Sequence, residues 1–125
     1  LNQHLLAPHR TGGSLGDKEG VRLRYAELRI QAFAGRSVLY RAARRADGPD
    51  NSVNEVIAAK VFCTEVASTI IDWAVQLVGG QALVVGHPLE ALYRRVRSLR
   101  LVEGANDLLR LNLAKGNLEL GKGDL

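Results

Sequence analysis

From Val53 to Val78 the chain contains neither Pro nor Gly and carries apolar residues on most sides of a helical wheel. Val56, Ala59, Cys63, Val66, Ile70, Trp73 and Leu77 alternate spacings of three and four, the stripe of a packed helix. Val53, Ile57, Val61, Ile71, Val75 and Val78 add apolar surface elsewhere, and Glu65, Thr69, Asp72 and Gln76 form one tidy polar stripe. A helix apolar over most of its circumference must be covered on several sides, as the centre of a bundle or at a subunit interface. Ser52 with Glu55 predicts a capping box at its start. Gly79-Gly80 predicts its stop, since glycine accepts the left-handed conformation of a helix C-cap. Cys63 falls in the packed stripe and reads as an inert buried thiol.

The flanking segments are helical too. Residues 1–10 read as the last turns of a helix broken near Pro8, and 11–16 as a loop. A long helix is predicted over 19–46, with Val21, Tyr25, Leu28, Ala32, Gly35, Leu39, Ala42 and Ala46 on one face. Arg22, Arg29 and Arg36 recur along another face, which reads as solvated. The run 47–52 is a break. Residues 81–87 form a loop, and Pro88 opens a short helix at its first position, with Leu92, Val96 and Leu99 inward and Arg94, Arg95, Arg97 and Arg100 outside. A last helix covers 105–119, with Leu109, Leu113 and Leu120 on one face and Leu111 and Leu118 on another, before a frayed tail at 121–125. No strand pattern appears. The expected fold is an all-α, up-and-down four-helix bundle in a single domain over residues 1–125.

Composition narrows the class. With 125 residues, 46% hydrophobic and 24% charged, the chain has the balance of a soluble globular protein. No apolar run reads as long enough to span a bilayer and no signal peptide is visible, so no membrane partner is expected. One Cys excludes an internal disulfide and makes a reducing, cytoplasmic setting the default. The chain begins at Leu1 and holds no Met, so it reads as a piece of a longer or processed chain. Its net charge is +4, and 13 of its 17 basic residues are Arg. These are spread over two helices with no helix-turn-helix or aromatic stacking motif, and no nucleic-acid partner is expected.

One carboxylate stands apart. Glu103 lies in an apolar junction, hinged by Gly104, just before the last helix. An apolar site makes a carboxylate a better base, although a Glu before a helix more often only complements the helix dipole. Other constellations fail on context. Gly116 to Lys122 has P-loop spacing but lies in a helix, with Gly123 where a Ser or Thr should bind magnesium. His87 and Glu90 are a lone pair, short of the repeated motif that a di-iron bundle needs, so no metal is expected.

Three separated blocks carry more. They are Ala59-Lys60 through Ala74-Val75-Gln76-Leu77-Val78-Gly79-Gly80, then Pro88-Leu89-Glu90-Ala91-Leu92-Tyr93-Arg94, then Val102-Glu103-Gly104 with Asn106 to Arg110 and Ala114-Lys115. In this order the chain resembles the C-terminal helical domain of acyl-CoA dehydrogenases over about residues 15–119. The family's pattern there is A-V-Q-x-x-G-G, then P-x-E-x-x-Y-R, then E-G-T with an Arg seven residues after the Glu.

The resemblance implies an FAD-dependent enzyme that oxidises the Cα–Cβ bond of an acyl-CoA thioester. Glu103 stands at the position of the α-proton base, its backbone N–H at that of a donor to the thioester carbonyl, and Gly104 where the main chain meets the substrate. Gln76, Gly79 and Gly80 match contacts to the FAD diphosphate made across a subunit interface. Implied partners are acyl-CoA, a homo-oligomer or a related subunit, and an electron-transfer flavoprotein as electron acceptor. The chain departs from the pattern at Ala82, Arg95 and Ala105, which stand for Gly, Asp and Thr, and at Glu19, which stands for Gln. The R-x-x-F-G expected before the second helix has no counterpart in register near Arg10. The family's other two domains have none either, so the resemblance implies catalysis by a fuller protein. Two other readings compete: a non-catalytic oligomerisation module of the same descent, and a basic helical nucleic-acid binder.

Overall fold

The computed structural model describes residues 1–49, 51–121 and 125. Its helices are α1 (Asn2–Leu6), α2 (Glu19–Ala46), α3 (Val53–Val78), α4 (Pro88–Ser98) and α5 (Asn106–Leu118), with 3-10 turns at Leu15–Asp17 and Gly80–Leu83. The only bridge among the described residues is an isolated pair between Pro8 and Ser14, and the expected all-α bundle is what forms. Part of the loop expected at 11–16 is thus the 3-10 turn, where Asp17 accepts from the Ser14 amide at 2.7 Å and hydroxyl at 2.9 Å. The tail expected to fray lies largely outside the described residues, as do Lys122 and Gly123 of the P-loop-like run.

α3 is the centre, and α2, α4 and α5 each pack against it. By length and composition α3 is apolar enough to cross a membrane, unlike the expectation that no run was. Its Lys60, Thr64 and Glu65 are nevertheless bonded to α5, as in the middle helix of a bundle. α2 runs antiparallel to it: Arg24 lies over Trp73 at 3.8 Å, Cys63 Sγ donates to the Gly35 carbonyl at 3.3 Å, and Arg41 and Arg45 reach Glu55. Gly35 is buried at this crossing, where a Cβ would make only ordinary contact with Val66 at 3.5 Å. Leu28, Gly35 and Ala42 of the predicted α2 face are buried, whereas Leu39 and Ala46 at its far end are exposed. Cys63, expected to be buried, is half-buried, and that burial raises its thiol above its ordinary range.

α4 and α5 follow one another along α3, both antiparallel to it. Tyr93 of α4 bonds Asp72, whereas in α5 Asn106 bonds Thr64 and Asn117 accepts from Asn54. They are joined by residues 99–105. Gly116 lets α5 approach α3, because a Cβ there would come within 2.7 Å of Asn54 Oδ1. The core cluster of Ile71, Ala74 and Val96 is lined by Leu1, Ala67, Leu89 and Tyr93.

Two local expectations are corrected. Ser52 caps α3 by position but its side chain makes no cap bond; Val53 N donates to Asn51 Oδ1 at 3.1 Å, and the Glu55 carboxylate, the box's other half, is taken by Arg45 Nε and Arg41 Nη2, each at 2.9 Å. These bonds, Arg45's first, hold the Glu55 carboxyl below its ordinary range. The inward face of α4 is Leu89, Tyr93 and Val96, with Leu92 and Leu99 exposed, because α4 meets one side of α3 only.

Candidate functional site

The break between α4 and α5 is built around Glu103. Amides of Leu101 and Val102 still bond Ser98 O, which winds the end of α4 down into a turn. The backbone then enters left-handed conformation twice, at Glu103 (φ 53°) and Gly104 (φ 92°). Among the described residues Glu103 is the only non-glycine with positive φ. A residue with a Cβ is strained there, and such strain clusters at functional sites. Gly104 has a second reason to be Gly, since a Cβ would lie 3.2 Å from Leu109 Cδ2. Ala105 returns to extended backbone and opens α5, with no side-chain cap.

A polar network fixes this turn from below. Asn106 N donates to Arg100 O at 3.0 Å, closing the loop across residues 101–105. Lys60 Nζ donates to Gly104 O at 2.8 Å and to Asn106 Oδ1 at 2.7 Å. Asn106, only 4% exposed, donates through Nδ2 to Thr64 Oγ1 and Glu65 Oε1, both at 2.9 Å. Arg100 and Arg110 reach the same Glu65 oxygen at 3.1 and 3.2 Å. Asn106 first, then Arg110 and Arg100, hold the Glu65 carboxyl below its ordinary range. Of these, all but Arg100 lay within the sequence blocks, but the sequence assigned no such network to Lys60, Thr64, Glu65 or Asn106. The available signal was a lone lysine on an apolar helix.

Glu103 itself is exposed, and so are Leu101 and Val102 beside it. The apolar junction is therefore not a dry pocket within this chain.

Gln76, Gly79 and Gly80 lie at the far end of α3. Gln76 is exposed, Gly79 ends the helix at φ 87°, and exposed Gly80 opens the following 3-10 turn. At 1.5 Å per residue, about 24 Å of helix separates Gln76 from Lys60 below the Glu103 turn. The chain thus places Glu103 with Gly104, and Gln76 with Gly79 and Gly80, as two separate groups and does not bring them together. An exposed amide beside a glycine corner fits one edge of a diphosphate and no more of the cofactor. Ala82 is fully buried and lies outside the left-handed region, so the fold accepts its Cβ where the family pattern has Gly. His87 caps α4, its Nδ1 accepting from Leu89 N at 3.1 Å, and its pattern partner Glu90 pairs with Arg94. Among the described residues no group of side chains is arranged to hold a metal ion.

Comparison with known proteins bears on the family and the fold. Residues 2–118 match the family model described as acyl-CoA dehydrogenase, C-terminal domain. The chain is 32% identical over 99 residues to the mouse very long-chain specific acyl-CoA dehydrogenase, covering 78% of this chain and 15% of that protein. It is 28% identical over 106 residues to the rat short-chain specific enzyme, covering 85% and 26%. In fold it is similar, at a TM-score of 0.88 and 23% identity, to a chain from the structure of an electron transferring flavoprotein of Acidaminococcus fermentans, covering 94% of this chain and 31% of that one. The chain thus spans about a quarter or less of the two curated relatives. With the family model matched over nearly its whole length, this chain belongs to the acyl-CoA dehydrogenase family, as its C-terminal domain.

Proposed function

We propose that the chain is the base-bearing domain of an FAD-dependent acyl-CoA dehydrogenase. The observation that carries this reading is Glu103, an exposed carboxylate in a strained left-handed turn where glycine would be easier. Backbone strain of this kind clusters at functional sites, which supports a working carboxylate here.

In this reading the Glu103 carboxylate removes the α-proton of an acyl-CoA thioester. The Glu103 backbone N–H donates to the thioester carbonyl oxygen and so acidifies the α-carbon. Gly104 leaves room for main chain and substrate to approach. FAD, when bound, would supply the acceptor for the hydride of the β-carbon, the Glu103 carboxylate taking the proton of the α-carbon. Gln76 and the Gly80 amide would hold diphosphate oxygens of a neighbouring subunit's FAD, with Gly79 making the corner, since its own amide donates to Val75 O at 2.8 Å. The 125 residues form one face of the site only, and activity belongs to the fuller protein. An electron-transfer flavoprotein is the proposed electron acceptor.

A homo-oligomer or a pairing with a related subunit is part of the same proposal. Leu23, Ile30, Phe33 and Tyr40 form an exposed apolar row on the side of α2 away from α3, which supports burial against further protein.

The test is Glu103→Gln in the full-length protein, followed by flavin reduction with acyl-CoA. Turnover is expected to fall by about 10²–10⁴-fold, the usual weight of a general base, with acyl-CoA binding retained. Unchanged turnover would refute the assignment.

A further inference from the structure

We propose that Lys60 and Asn106, seated on Thr64 and Glu65, are positioning residues that hold the Glu103 carboxylate in its working orientation. The proposal rests on Glu103 being the base. Left-handed backbone at a residue with a Cβ persists only where its surroundings over-determine it. Here they do so through the main chain. Lys60 Nζ binds Gly104 O at 2.8 Å and so fixes the peptide plane just after the strained pair. The same ammonium binds Asn106 Oδ1 at 2.7 Å, and Asn106 N closes the loop on Arg100 O. The remaining bonds of the buried Asn106 amide go to Thr64 and Glu65, so the clamp is anchored on α3 and not on the loop.

The arrangement exceeds what joining two helices requires. A glycine at position 103 would adopt φ 53° without strain and need no clamp. The recorded bonds of Lys60 go to a carbonyl and an amide oxygen, which leaves the Glu103 carboxylate free for a ligand. A half-buried ammonium and a buried amide thus serve to aim one exposed carboxylate.

The experiment is Lys60→Met, with Thr64→Val as a milder variant should Lys60→Met fail to fold. NMR of the chain reads the Glu103 and Gly104 amide signals and the Glu103 HN–Hα coupling. Steady-state kinetics of the full-length protein read kcat and KM. In Lys60→Met the two amide signals are expected to shift or split while α2 signals stay, and kcat to fall about 100-fold with KM nearly unchanged, as for a misplaced catalytic group. Thr64→Val should give the same changes at smaller amplitude, and Lys60→Arg should restore part of kcat. Turn signals and kcat that both stay unchanged in a folded variant would overturn the clamp. Shifted turn signals with unchanged kcat, where Glu103→Gln is inactive, would overturn the positioning role and leave the base in place. Full activity in Glu103→Gln would overturn the base, and the positioning role with it.

Discussion

At Glu103 a Cβ crowds backbone that sits at φ 53°, at a cost of roughly 1–2 kcal/mol for a non-glycine residue. Glycine removes that cost but gives back about 0.4–1 kcal/mol in unfolded-chain entropy. Glu103→Gly is therefore expected to stabilise the fold by about 0.5–1 kcal/mol while ending turnover in the full-length protein. A thermal unfolding midpoint beside an activity assay checks it, and a lowered midpoint would mean that the side chain is held by contacts of its own. The strain was not legible in the sequence, since nothing about a Glu signals positive φ. What could be read was its neighbour: Gly104 is a glycine because φ is 92° and Leu109 stands close.

At the scale of elements, α2 and α3 match the sequence reading at both ends, because periodic apolar positions run up to breaks at 47–52 and at Gly79-Gly80. The misreadings share one cause. Glu55 and Leu92 were assigned by local rules, whereas arginines from α2 claimed Glu55 and the single contact face of α4 chose Leu89 and Tyr93. The site was legible as residue types but not as a network, since Lys60 and Asn106 meet only once α5 folds back along α3. Ala105 stands in the N-cap position of α5 with extended backbone and no side-chain cap. Ala105→Ser is expected to stabilise by about 1 kcal/mol, because its hydroxyl can accept a first-turn amide. Chemical denaturation measures this, and a gain within error of zero would show that α5 starts under tertiary control alone.

Across the whole molecule, two carboxylates tie α3 to its neighbours: Glu55 to α2, and Glu65 to Arg100 and α5. Both are held below the ordinary glutamate value of 4.5. A depressed carboxyl contributes stability above its unfolded value and loses it as pH falls through the folded one. The melting temperature is expected to be flat for these groups above about pH 5 and to fall on acidification below 4.5. Glu65→Gln should flatten part of that fall, and an unaltered acid limb would remove Glu65 from the account.

The length of α3 has a consequence for ownership. Its middle carries the seat of Glu103, and its end, about 24 Å on, carries Gln76 and the glycine corner. On the proposed reading those two stations face different cofactors. A subunit would then never own a complete site. It would lend a phosphate grip to a neighbour and borrow one in return, and two chains crippled at opposite ends of this helix could rebuild one sound centre between them.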